Sequence, residues 1–302
     1  MAICGPTSKQ KGLSMSPHPG ELPYSFSMIN LVSLMPEWSW DGFDQVMAEA
    51  GTTRVELVPS MVLGENWDQQ IEAPGGAVQQ ALQQLLQRYS VGSIQSLTYG
   101  LPINLADHLV GRPDLLKRLQ ALGELAKATE CTVLILGSPG QKKRLDPAMD
   151  ETEHKQRFRA NCSWMAGTLG PELTLSLEHN TSTQGAEFCN SLADIADLVK
   201  SLRDDGIMNV GVNLDTKCLI HEFGGDVRLS ELVNKLEIAG LITSVQVSLD
   251  FLARNVPHRA EDQHMLIDFA RRHQLPLSLE EFGLLESQLP QFVAAWNADP
   301  AI

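Results

Sequence analysis

The most constraining stretch of the chain is residues 173–180, which read Leu-Thr-Leu-Ser-Leu-Glu-His-Asn. Leu173, Leu175 and Leu177 alternate with Thr174, Ser176 and Glu178. A period of two is the signature of a strand. One face is aliphatic and needs an apolar cover, while the other is small, polar and ends in an acid. A barrel wall covered by helices meets both demands, and in such barrels the C-terminal strand ends carry the chemistry.

The same grammar recurs three times downstream. Gly211, Asn213 and Asp215 share a face against Val212 and Leu214. Gln246 lies between Ser244 and Ser248, with Val245 and Val247 opposite; Ser278 and Glu280 lie opposite Leu277 and Leu279. Each segment presents one oxygen-bearing side chain near its end: Glu178, Asp215, Gln246 and Glu280. Their spacings of roughly 30–40 residues each fit one βαβ unit. Four oxygen donors converging from four consecutive parallel strands define a candidate metal site.

The remaining chain repeats this unit. Strands are expected at 24–31, 53–58, 91–97 and 131–136. Helices are expected at 40–50, 76–89, 113–129, 151–169, 191–203, 229–239, 260–273 and 285–296. Ser39 is a candidate N-cap, Gly51 a helix stop, and Pro113 sits in a first turn where its missing N–H costs little. Strict alternation of strand and helix implies a parallel sheet with helical cover. The length of 302 residues then fits a single closed (β/α)8 barrel over 24–302. No glycine-rich phosphate turn follows the first strand, which argues against an open doubly wound sheet. Residues 1–23, rich in Ser, Pro, Gly and Lys, read as a short flexible N-terminal arm.

Formal net charge is −14, and so acidic a surface repels phosphate backbones, making nucleic acid an unsuitable partner. No apolar run spans a bilayer. Five cysteines, odd in number and without paired spacing, fit a reduced, cytoplasmic protein.

Leu-Glu-His-Asn, Asn-Leu-Asp-Thr, Val-Gln-Val-Ser followed by Arg254-Asn255-Val256-Pro257, and Leu-Glu-Glu-Phe together resemble the xylose-isomerase-like barrel superfamily of sugar and sugar-phosphate isomerases and epimerases. The glutamine and the Arg-Asn-x-Pro run resemble its hydroxypyruvate isomerase branch most. The resemblance covers nearly all of the chain after Pro23. It implies one divalent metal held by Glu178, Asp215, Gln246 and Glu280. Many members carry a histidine three residues after the Asp, where this chain has Cys218 after Lys217, so the substrate itself does not carry over.

Three carboxylates and an amide form a hard donor set that favours Mn²⁺ or Mg²⁺ over Zn²⁺. A metal so held can stabilise an enediolate, with Glu178 and Glu280 as the acid/base pair. The expected activity is isomerisation or epimerisation of a small sugar, sugar acid or hydroxy-keto acid. A metal-dependent dehydratase or lyase, or a ligand-binding barrel without turnover, remain the alternatives. A homo-oligomer is compatible with this reading.

Substrate contacts are expected from Glu56, His179, Lys217 and Arg254, the last as a bidentate anion clamp. Glu56 has an equal claim as a buried ion pair with Arg54. Cys218 reads as a small apolar filler. Lys142, Lys143 and Arg144 read as a solvated loop, and His221, His258 and His264 as solvated loop or helix-start residues.

Overall fold

The computed structural model describes residues 24–35, 37–71, 73, 75–144, 150–253 and 256–297, and the structural statements below concern these. The arm expected over 1–23 lies outside the described residues, as does Arg254. Eight parallel strands close into a barrel in chain order. They are β1 Ser25–Ser27, β2 Arg54–Leu57, β3 Ser90–Ile94, β4 Val133–Leu136, β5 Thr174–Glu178, β6 Val210–Asp215, β7 Ile242–Val247 and β8 Leu277–Leu279. The seam closes where Ser25 and Phe26 of β1 pair with Ser278 and Leu279 of β8.

Eight helices form the outer layer among the described residues: α1 Trp40–Ala50, α2 Ala77–Leu86, α3 Pro113–Thr129, α4 Glu151–Leu169, α5 Leu192–Asp204, α6 Leu229–Lys235, α7 Arg259–His273 and α8 Leu289–Asn297. None is long and apolar enough to cross a membrane. Local chemistry sets their ends. Ser39 caps α1 by accepting from the Gly42 N–H at 3.2 Å, and Gly51 stops it at φ 71°, a conformation that costs glycine little. Asp150 caps α4 and Ser191 caps α5.

The aliphatic strand faces pack against these helices as the alternation requires. Leu175, Leu177, Val212, Leu214, Val245, Val247, Leu277 and Leu279 are all buried in the layer between strands and helices.

The expected elements differ from the observed ones mainly at their ends. The first strand is three residues long, followed by a 3-10 turn at Met28–Asn30 and a short helix Leu31–Leu34. The chain turns there because Asn30 stitches the barrel seam. Its Nδ2 donates to the Leu279 carbonyl at 3.0 Å, and its Oδ1 accepts from the Glu281 N–H at 2.6 Å. Strand β8 ends at Leu279, and the Glu280 N–H still donates to the Val247 carbonyl at 2.9 Å, so the ladder runs one residue further. Helix α6 stops at Lys235 rather than 239. Helix α8 starts at Leu289 rather than 285, after a 3-10 turn at Glu286–Gln288.

The loop after β2 holds short helices at Pro59–Leu63 and Trp67–Gln70, with Trp67 buried. A helix that the alternation did not suggest, Thr216–Phe223, follows β6 directly. It carries His221, which is therefore helical. His221 is exposed and His258 sits at the N-terminus of α7, as expected, whereas His264 lies within α7 and is half-buried, so only the loop or helix-start placement of His221 and His264 is corrected.

Candidate functional site

The barrel interior is polar. Aliphatic side chains commonly fill such a barrel, but here hydroxyls, amides and carboxylates meet across the axis. Ser176 Oγ contacts Thr243 Oγ1 at 2.7 Å and Ser244 Oγ at 2.8 Å, and Ser244 donates to Asn213 Oδ1 at 2.7 Å. Asn213 Nδ2 donates to Gln246 Oε1, and Gln246 Nε2 donates to Glu56 Oε1 at 2.8 Å and to Glu280 Oε2. Glu56 also accepts from Gln95 Nε2 at 2.9 Å, Ser93 Oγ at 2.8 Å and Ser278 Oγ at 3.0 Å. Four donors thus satisfy a carboxylate that is 1% exposed. This corrects the alternative of a Glu56–Arg54 ion pair: the Arg54 side chain instead fills the space left by Gly92, where a Cβ would stand 2.9 Å from its Nε.

The network leads to the strand ends. Glu280 Oε2 accepts from Gln95 Nε2 at 3.1 Å and Ser27 Oγ at 3.3 Å besides Gln246. Glu178 Oε1 accepts from Asn180 Nδ2 at 2.6 Å. Asp215 caps the helix Thr216–Phe223, its Oδ1 accepting from the Lys217 N–H at 2.7 Å. Gly137, just past β4, makes room for Glu178: a Cβ there would stand 1.8 Å from Oε2.

Charge is concentrated at this end. Burial, and then the Asp215 charge, push the Glu178 pKa up to about 8. Burial raises Asp215. Glu280 is raised well above the usual carboxylate range by desolvation and then by Glu56, Glu178 and Asp215. Crowded carboxylates behave so when no cation sits among them, and a bound divalent ion inverts that logic. The fit to such an ion is direct: oxygen atoms of Glu178 and Asp215 and the Cys218 sulfur all lie within 4.8 Å of one another, every one buried. Gln246 faces Glu56 and Glu280 with its NH₂, so ligation through Oε1 requires its amide to turn. Asn213 and the Ser244 hydroxyl can turn with it, but the turn gives up the bonds from Nε2 to Glu56 and Glu280.

The other expected site residues occupy distinct places. His179 is fully buried, one residue on from Glu178, with Nε2 3.5 Å from Glu222 Oε2. Burial lowers its pKa to about 3. Lys217 Nζ pairs with Glu281, which is itself buried and accepts from the Leu249 N–H at 2.9 Å.

Three residues outside the expected set shape the site. Lys142 is fully buried and donates from Nζ to the Glu178 carbonyl at 2.7 Å, so its assignment to a solvated loop is corrected. Desolvation lowers its pKa, and Phe158 supplies an aromatic face 5.7 Å from Nζ. Cys218 is no inert filler, since its sulfur lies 2.8 Å from Asp215 Oδ2. Gln95 bridges Glu56 and Glu280. Its only sequence signal was an amide on the third strand beside Ser93.

The sequence matches no protein-family model and no curated protein. Solved structures do resemble it. The 3-keto-D-glucoside 4-epimerase YcjR from E. coli superposes with TM-score 0.61 at 12% identity, over 92% of this chain and 99% of that one. The probable 3-DHS dehydratase AsbF from Bacillus anthracis gives 0.57 at 16%, over 92% and 98%. The IolI protein, solved with a zinc atom, gives 0.55 at 12%, over 91% and 95%. At such identities the likeness is one of fold: this chain shares the closed eight-stranded barrel of these structures.

Proposed function

We propose that this chain is a divalent-metal-dependent isomerase or epimerase of a small sugar, sugar acid or hydroxy-keto acid. The observation that carries the reading is the buried cluster at the C-terminal end of the barrel, where donor atoms of Glu178, Asp215 and Cys218 lie within 4.8 Å of one another and the charges of Glu178 and Asp215 reach Glu280. The metal's ligands in this proposal are Glu178, Asp215, Glu280 and, after its amide turns, Gln246. Oxygen donors alone favour Mn²⁺ or Mg²⁺. Such an ion, when bound, supplies Lewis acidity toward a carbonyl and its neighbouring hydroxyl.

The protein's own groups do the rest. Glu178 and Glu280 reach the site from strands β5 and β8, so a proton removed by one carboxylate can be returned by the other to the opposite side of the same carbon. Asn180 holds Glu178 through Oε1, and Gln95 with Ser27 holds Glu280 through Oε2. Both bases are thus positioned before substrate arrives. Glu56 orients the Gln95 amide, and His179 follows Glu178 at the strand end from its buried place. Lys217 is the expected substrate contact whose described side chain keeps solvent access, 23% of it exposed. Arg254, the proposed anion clamp and, with Gln246, part of the basis of the hydroxypyruvate isomerase likeness, lies outside the described residues.

The test is turnover in D₂O of a panel of ketoses, sugar acids and hydroxypyruvate after loading with Mn²⁺ or Mg²⁺. Deuterium on the carbon beside the carbonyl supports proton abstraction; turnover without label overturns it. The barrel shared with a probable dehydratase favours one second reading, expulsion of a β-hydroxyl by the same bases, which loss of water from substrate would reveal.

A further inference from the structure

We infer that Cys218 is a metal ligand of this site and that its thiolate turns the site toward thiophilic ions, Zn²⁺ or Co²⁺, over Mg²⁺. The inference rests on the metal-site reading above. Cys218 occupies the third position of the helix that Asp215 caps, so its side chain points back over that carboxylate. The sulfur stands 2.8 Å from Asp215 Oδ2, 3.3 Å from Gln184 Oε1 and 3.7 Å from Glu178 Oε1. It is fully buried.

A thiol has one proton and is a weak donor. It can serve one of these three oxygens, leaving sulfur lone pairs facing the other two. A cation among them removes that conflict, because sulfur and both carboxylates become donors to it. The spacing suits one ion. Neighbouring ligands of one ion, bound at ~2.0–2.3 Å, stand about 3–3.5 Å apart. The Glu178–Cys218 separation already matches this, and Asp215 and Cys218 need to part by several tenths of an ångström. On binding, the S–H bond breaks, a metal–sulfur bond forms and the proton passes to buffer; nothing is oxidised or reduced. One thiolate in an otherwise oxygen-donor set shifts preference from hard toward borderline ions.

The experiment titrates Co²⁺ into the full chain, stripped by chelator and kept reduced. The expected result is a near-ultraviolet thiolate-to-cobalt charge-transfer band that saturates at about one ion per chain, is abolished by Zn²⁺ and is absent from Cys218→Ser but present in Cys162→Ser. Loss of an outer-shell partner alone costs about 10–100-fold in affinity. Cys218→Ser should therefore weaken Zn²⁺ at least tenfold while changing Mn²⁺ little. Saturable Co²⁺ uptake without the band in the unsubstituted chain overturns the inference and leaves the metal site standing. So does a band that persists in Cys218→Ser. No saturable uptake of Co²⁺, Zn²⁺ or Mn²⁺ by equilibrium dialysis overturns the metal-site reading itself.

Discussion

Gly137 has ordinary backbone geometry, so what confines it is space: a Cβ would meet the Glu178 carboxylate at 1.8 Å. Gly137→Ala must displace a proposed ligand and base, at a packing cost of about 1–3 kcal/mol. We expect metal affinity and turnover to fall at least tenfold with the far-ultraviolet circular dichroism unchanged, whereas Gly140→Ala, which meets open space, should change neither. Equal effects of the two would remove the steric account. Adjacent lysines differ as sharply. Lys142→Ala opens a buried gap and strips a donor from the Glu178 carbonyl, so urea unfolding should register a loss of about 2–5 kcal/mol. Lys143, 42% exposed in its pair with Glu187, should lose under about 1 kcal/mol when truncated. A small loss at Lys142 would mean that its burial carries little energy.

Among the elements, the loop after β2 is held by one buried ion pair. Arg118 of α3 binds Asp68 at 2.7 Å, with both side chains under 10% exposed. The same guanidinium donates to the carbonyls of Leu97 at 3.3 Å and Tyr99 at 3.0 Å, and its carbon lies 5.3 Å from the Trp67 ring. It thus ties the β2 and β3 loops to one helix. Removing one partner strands a buried charge, which costs about 3–5 kcal/mol, and Asp68→Ala should show that loss in urea unfolding. The surface pair of Arg88 with Asp44 should yield under about 1 kcal/mol to the same truncation. The seam at β8 gives a second element-level expectation. Glu280→Gln should weaken metal binding and abolish turnover, since an amide cannot act as a base. Glu281→Gln should keep the metal but lower stability, because Glu281 holds Lys217 and the Leu249 N–H. The reverse pattern would place the wrong glutamate in the barrel.

For the molecule as a whole, the crowded carboxylates predict that ion binding and folding are linked. An ion that binds only the folded chain adds about 2.7 kcal/mol at a hundredfold excess over Kd. The melting temperature should therefore rise by several degrees with added divalent ion and fall again with chelator. A melting curve indifferent to every divalent ion tested would count against the site.

Local repetition carried the fold. Alternation such as Leu175-Ser176-Leu177-Glu178 specifies a strand and its two faces, and helix-length intervals between four such strands leave a covered parallel barrel as the packing that buries every aliphatic face. The strand-end positions of Glu178, Asp215 and Glu280 follow from the same period. What lay beyond the sequence was contact across the barrel. Ser278 and Glu56 are 222 positions apart yet hydrogen-bonded, and Gln95, one residue past strand β3, reaches Glu280, because closure brings β1 beside β8. The short first strand depends on Asn30 meeting the far end of the chain. The burial of Lys142 depends on a carbonyl and a phenyl ring supplied by other elements. Cys218 gained its polar surroundings because the helix Thr216–Phe223 starts on Asp215 itself. Period and propensity act between near neighbours along the chain, whereas desolvation and hydrogen-bond partnership are set by whatever the closed barrel brings within a few ångströms.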